Sequence, residues 1–184
     1  MRIIGGNSGG IRINFPKNLN LRPTTDRCKE ALFNILNNEF DFNSIKILDL
    51  FSGTGGISYE FASRGTKNIT VVDSNAKHVK FIKSQSEKFN FKFNIIKTDV
   101  FKYLRSCDND NFNYDIIFSD PPYDLDLKKY KAIIYKIFEF KMLKTDGIII
   151  IEHSNKIELD SIKKFYMKRK YGSCFFSFFK NLSS

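Results

Sequence analysis

From residue 45 onward, short apolar runs alternate with stretches of helical period, and this alternation constrains the fold more than any other feature. The runs occupy residues 47–51, 69–73, 93–96, 114–119 and 148–152, each short enough for a buried strand. Between them lie helical patterns at 57–64, closed by Gly65, at 75–89 through Val79, Ile82 and Phe89, at 100–104, and through Ile133, Ile134, Ile137 and Phe138. Strand, crossover and strand in repetition require right-handed connections and a parallel sheet with helices on both faces. The expectation is an α/β, Rossmann-like fold. A helix is expected at 159–164, and two apolar runs around Tyr171-Gly172 predict an antiparallel hairpin closing one edge. At the start, residues 1–23 read as a small hairpin-like arm, and residues 24–184 as the core of a single domain. Thr24 and Thr25 can cap a helix whose apolar face is Cys28, Ala31, Leu32, Ile35 and Leu36.

The first strand runs into Asp49-Leu50-Phe51-Ser52-Gly53-Thr54-Gly55-Gly56. Glycines at a strand-to-helix turn let the backbone bend tightly and approach a ligand. A dinucleotide fold would want G-x-G-x-x-G here, with a pyrophosphate on the helix N-terminus. The third glycine is missing, and Asp49 would repel a pyrophosphate. A carboxylate at that point suits a cation such as the α-ammonium of an amino acid. A nucleoside carrying a cationic amino-acid tail is S-adenosylmethionine. Asp73, ending the second strand, is placed to receive ribose hydroxyls. Asp99, after the third, is placed to accept the adenine amine, with the Val100 N–H donating to a ring nitrogen. The candidate cofactor residues are Asp49, Phe51, Gly53, Thr54, Gly55, Asp73, Ser74, Asp99, Val100 and Asp120.

The fourth strand ends in Asp120-Pro121-Pro122-Tyr123. Two prolines fix φ and donate no N–H, so the turn is rich in acceptors. The Asp120 carboxylate and Pro121 carbonyl can take the two N–H bonds of an exocyclic amine while the Tyr123 ring stacks on the base. Asp120, Pro121, Pro122 and Tyr123 are therefore the candidate catalytic residues, for direct transfer of a methyl group to a base amine with no metal. His78, mid-helix among lysines, is expected to face solvent, and His153 to be structural. Tyr130, Tyr135 and the C-terminal Phe cluster are expected in the core.

Lys and Arg total 30 against 20 Asp and Glu, a net charge of +10 that attracts polyanions. Arg2, Arg12, Lys17, Arg22, Arg27 and Lys29 put six positive charges in or just after the arm. Three scattered cysteines form neither a disulfide framework nor a zinc site. No apolar stretch is long enough to span a bilayer, and the start lacks a signal peptide's apolar core. A soluble, cytoplasmic monomer is expected.

These residues together resemble the bacterial 16S rRNA guanine-N2 methyltransferases, of the class I Rossmann-like type. The resemblance runs from Arg2-Ile3-Ile4-Gly5-Gly6 to the last strand, and its most family-specific block is Arg22-Pro23-Thr24-Thr25-Asp26-Arg27 leading into residues 29–36. It implies a mostly parallel seven-stranded sheet with an antiparallel last strand, and methylation of one guanine in 16S rRNA of the small ribosomal subunit. It also implies substrate contacts from Arg12, Arg22, Thr24, Thr25, Arg27 and Tyr123. Family members carry a Lys/Arg-Gly-Arg segment after the opening glycines, whereas this chain has Asn7-Ser8-Gly9-Gly10-Ile11-Arg12, with less positive charge. Two other functions fit parts of the pattern. An adenine-N6 methyltransferase also uses Asp-Pro-Pro-Tyr but needs a target-recognition insertion absent here, and a non-catalytic RNA-binding assembly factor would not need the cofactor acids.

Overall fold

The protein, in a computed structural model, is described at residues 1–14, 16, 24–106, 112–122, 124–172 and 174–181. The elements in order are α1 (Asp26–Leu36), β1 (Lys46–Leu50), α2 (Gly56–Ser63), β2 (Asn68–Asp73), α3 (Ala76–Lys88), β3 (Phe93–Lys97), α4 (Val100–Arg105), β4 (Tyr114–Ser119), α5 (Leu127–Glu139), β5 (Leu143–His153), β6 (Phe165–Tyr171) and β7 (Cys174–Lys180). The sheet has seven strands in the order β3-β2-β1-β4-β5-β7-β6. Strands β1 to β5 pair in parallel, while β7 is antiparallel to both β5 and β6. The chain winds outward from β1 to β3, then returns to β4 on the other side of β1. That reversal makes the β1–β4 boundary the switch point, where open α/β sheets hold ligands beyond the strand ends.

Period-two alternation divides the core between two faces. Ile47, Ile116, Phe118, Ile148 and Ile150 point to the side covered by α1, α2 and α3 through Leu32, Phe33, Ile57, Phe61 and Ile82. Leu48, Leu50, Ile117, Ile149 and Ile151 point to the side covered by α4 and α5 through Leu104, Tyr130, Ile133, Ile134 and Ile137. Both faces are dry, so the central strands carry continuous apolar runs, as parallel sheets require.

Thr25 caps α1, its Oγ1 accepting the Cys28 N–H at 3.3 Å. The buried stripe of α1 is Cys28, Lys29, Leu32, Phe33 and Leu36, a rotation from the expected face that brings Lys29 inward. The cause is Glu60 of α2, fully buried and 3.2 Å from Lys29 Nζ. Glu60 also accepts the Ile4 and Gly5 backbone N–H groups, and Lys29 Nζ donates to the Arg2 carbonyl. One buried ion pair thus ties the arm to two helices, and Lys29 is not one of the outward-facing charges. The arm folds back on itself through an antiparallel bridge between Arg2 and Arg12, and Ile3 and Ile13 pack on Tyr59.

Two further expectations fail outside the site. Residues 159–164 form turns rather than a helix, because Leu159 and Ile162 are both anchored in the core and Lys164 takes φ 71° to enter β6. Tyr135 is half exposed on α5, whereas Tyr130, five residues earlier, is buried.

Candidate active site

The loop between β1 and α2 is built for close approach. Gly53 and Gly55 take φ of 56° and 81°, and a Cβ on Gly55 would stand 3.1 Å from the Tyr59 ring. Phe51 is held at φ 58° without being a glycine, a local strain of the kind that concentrates at ligand sites. The arm supports this loop from behind: Met1 Sδ lies 3.6 Å from Thr54 Oγ1 and would touch a Cβ added at Gly56.

Asp73, at the tip of β2, is held by several donors. Its Oδ2 accepts the Gly53 N–H at 2.8 Å, and its Oδ1 accepts the Asn75 N–H at 2.8 Å. His78 Nδ1 stands 3.1 Å from the same Oδ1. The Asn75 carbonyl oxygen accepts the Lys77 N–H, which turns its amide nitrogen to His78 Nε2 at 3.3 Å. Nδ1 therefore carries the hydrogen that meets Asp73. His78 is buried, contrary to the expectation of a solvent-facing residue, because it sits in the first turn of α3 with its ring turned onto Asp73 at the tip of β2.

Asp49 is buried on β1 and accepts from Ser58 Oγ at 2.5 Å. Loss of solvent raises its carboxyl to about 7; the Ser58 hydrogen bond opposes the rise and the nearby Asp73 adds to it. Across the switch point, the Asp120 N–H donates to the Leu50 carbonyl at 3.3 Å, which docks the proline turn beside the end of β1. Asp120 is half-buried, and desolvation, then Glu152, then Asp49 push its carboxyl well above the ordinary range.

These parts enclose one cleft of about 490 Å³, lined by Asp49, Phe51, Gly53, Thr54, Asp73, Ser74, Asp120, Pro121 and Pro122 among the predicted residues. Thr24, at the foot of α1, lines it as well, and so do His78 and Asn75, which sequence reasoning passed over. Its lining carries three aspartates and neither Lys nor Arg. That donor set suits a cationic nucleoside and opposes a pyrophosphate, so the residues fit S-adenosylmethionine. Two larger hollows, of about 870 and 750 Å³, lie among the N-terminal ends of the strands, near Asp115 and Lys46 respectively, and lack the glycine loop and the proline turn.

Comparison with known proteins agrees with this geometry. A family model described as Conserved hypothetical protein 95 matches residues 1–180. YlbH of Bacillus subtilis, a candidate rRNA methyltransferase, is 33% identical over 173 residues, 92% of each chain. The ribosomal RNA small subunit methyltransferase D of Buchnera aphidicola from Acyrthosiphon pisum is 33% identical over 91% of this chain and 85% of its own. The chain belongs to the ribosomal RNA small subunit methyltransferase D family. It has that family's class I methyltransferase fold: a Thermus thermophilus protein, TTHA0928, superposes with a TM-score of 0.84 at 22% identity over 98% of this chain and 99% of that one. A more distant fold neighbour, at TM-score 0.67 and 17% identity over 85% of this chain and 43% of its own, is the Thermus thermophilus 16S rRNA N2 G1207 methyltransferase in complex with AdoMet and guanosine.

In this methyltransferase D relative some predicted site residues stand apart from the cleft. Asp99 is exposed, and its Oδ1 caps α4 by accepting the Lys102 N–H at 2.9 Å; neither it nor the buried Val100 lines the cleft. Thr25 spends its hydroxyl on the α1 cap. Gly55 serves as the left-handed cap of α2. Arg12 and Arg27 are exposed, while Arg22 and Tyr123 lie outside the described residues. His153 is buried and does not line the cleft, with Nε2 2.8 Å from Ser177 Oγ and Nδ1 2.8 Å from the Ser154 carbonyl. Glu152, buried at the end of β5, was not singled out in the sequence. Its place at the tip of the fifth apolar run, level with Asp120, was the available signal.

Proposed function

We propose that this protein transfers a methyl group to the exocyclic N2 amine of a guanine in 16S rRNA of the small ribosomal subunit, acting as a monomer. The observation that carries the reading is the meeting of Asp120-Pro121-Pro122 with Asp49, Asp73 and the glycine loop around one cleft. S-adenosylmethionine, when bound, supplies a methyl group on an electrophilic sulfonium. Asp49 would face its α-ammonium and Asp73 would take ribose hydroxyls, while Asp99 and Val100, which stand outside the cleft lining, would meet only the outer edge of the adenine. Phe51, Gly53, Thr54, Gly55 and Ser74 shape the backbone around it.

An aryl amine is a poor nucleophile because its lone pair is delocalised into the ring. Accepting both N–H bonds at Asp120 and the Pro121 carbonyl favours the pyramidal nitrogen, whose lone pair can attack. Positive charge then develops on nitrogen, and the same acceptors stabilise it in place, which is electrostatic preorganisation. The nitrogen gives up one proton to Asp120, and from there to water. Entry of the base requires it to leave its stack, with Tyr123 replacing the lost stacking, and Arg12, Arg22 and Arg27 holding phosphates.

The test is incubation with methyl-labelled S-adenosylmethionine and small subunits from cells lacking the protein, followed by mapping of the modified base. Label on guanine N2 in 16S rRNA is expected. Label on an adenine, on DNA, or nowhere overturns the reading.

A further inference from the structure

Paired strands β4 and β5 set Ser119 beside Ile151, so the next residues, Asp120 just beyond β4 and Glu152 still within β5, stand side by side. Glu152 shares the face of Ile148 and Ile150, beneath the start of α1, and is only 2% exposed. Its Oε2 accepts the Thr24 hydroxyl at 2.8 Å, and Thr24 lines the same cleft as Asp120. A hydroxyl has one hydrogen and two lone pairs. With that hydrogen committed to the buried Glu152 oxygen, the Thr24 oxygen can only accept on its cleft side.

The bases that carry an amine differ at the neighbouring ring nitrogen. Guanine N1 bears a hydrogen, whereas adenine N1 is a lone pair. We propose that Glu152 fixes Thr24 as an acceptor at the lip of the cleft, so that the site selects a base with N–H beside its amine. This rests on the function proposed above and deepens it. Thr24 is the specificity-determining contact, and Glu152 is a positioning residue acting through it. A lone pair opposite Thr24 meets another lone pair, and is rejected.

The probe is 2-aminopurine, which keeps the 2-amine and lacks the N1 hydrogen, placed at the mapped guanine in small-subunit RNA. Wild-type kcat/KM is expected to favour guanine by roughly ten- to a hundredfold, the size of one good base-edge contact. Thr24→Val and Glu152→Met are expected to bring that ratio below about threefold, since the first removes the acceptor and the second frees the hydroxyl to turn (each estimated from the same contact energy). Thr24→Ser and Glu152→Gln keep an acceptor in place and are expected to retain most of the discrimination. Fluorescence of the 2-aminopurine in complexes with S-adenosylhomocysteine reads base entry without turnover and is expected to follow the same order. Affinity for S-adenosylhomocysteine alone checks that each variant is folded. A wild-type ratio near one, or ratios unmoved in Thr24→Val and in Glu152→Met, overturns the assignment. Failure of the wild type to label guanine N2 in unmodified RNA removes the parent reading instead, so the two failures are distinct.

Discussion

Replacing Asp49 with asparagine removes a carboxyl that burial raises from 3.8 to about 7, and the size of that rise sets how cofactor affinity must respond to pH. A displacement of some three units corresponds to about 4 kcal/mol between the two protonation states. The sign follows from linkage. In the ligand-free protein the raised value favours the protonated form. This stability contribution is full below pH 3.8 and is lost as pH climbs through 7. A cation seated against Asp49 needs the ionised form and draws the value back down. Binding therefore expels a proton at pH 5, about half a proton at pH 7, and almost none at pH 8, and below 7 affinity rises roughly tenfold per pH unit. Calorimetric titration with S-adenosylhomocysteine between pH 5 and 8, in two buffers of different ionisation heat, measures both quantities, since an α-ammonium keeps its charge over the lower part of that range. The wild type should tighten about fiftyfold from pH 5 to 7. The Asp49→Asn variant should bind weakly and lose about one proton's worth of that slope. Asp120, whose carboxyl burial also raises, is present in both proteins, so the subtraction between them is what isolates Asp49. A wild-type affinity flat within a factor of three, or an unchanged slope in the variant, would falsify the ammonium assignment.

Asp120→Ala should leave S-adenosylhomocysteine affinity within a fewfold while turnover on small subunits falls by roughly a hundred- to a thousandfold, and normal turnover removes Asp120 from its role. His78→Ala should loosen Asp73 and weaken S-adenosylhomocysteine binding by about tenfold, one charge-assisted hydrogen bond, with kcat at saturating cofactor unchanged. Lys29→Met should cost about 2–3 kcal/mol in urea unfolding, because Glu60 stays buried with only Arg64, 3.6 Å away, left to balance it; a loss under about 1 kcal/mol contradicts the geometry. Gly55→Ala, at φ 81° and facing the Tyr59 ring, should destabilise the loop by about 1–2 kcal/mol and weaken cofactor binding accordingly.

The fold was legible because it depends on period. The five parallel strands each hold a short apolar run between stretches of helical period, and the hairpin at β6–β7 announces itself through Tyr171-Gly172. The cofactor edge was legible because glycines and acids there stand at strand tips, where the chain has few other uses for them. What escaped reading depends on contacts across the sequence. His78 reads as a surface residue among lysines until Asp73 is known to lie beneath it. Lys29 looks like an arm charge until Glu60, 31 residues on, is seen to bury it. Leu159 and Ile162 have helical spacing, yet two anchors three residues apart also fit a single turn. Thr24 was marked as an RNA contact, but its bond to Glu152 spans 128 residues and leaves no local trace.

The strand that completes the sheet is the last one made. Glu152 and His153 pair with Phe176 and Phe175 on β7, which slots between β5 and β6 from the far end of the chain. Until residues 174–180 emerge from the ribosome that synthesises them, β5 is an open margin and the acid behind Thr24 has no wall. In a nascent copy the glycine loop and the tips of β1, β2 and β4 can assemble early, whereas the wall beside Glu152 waits for β7.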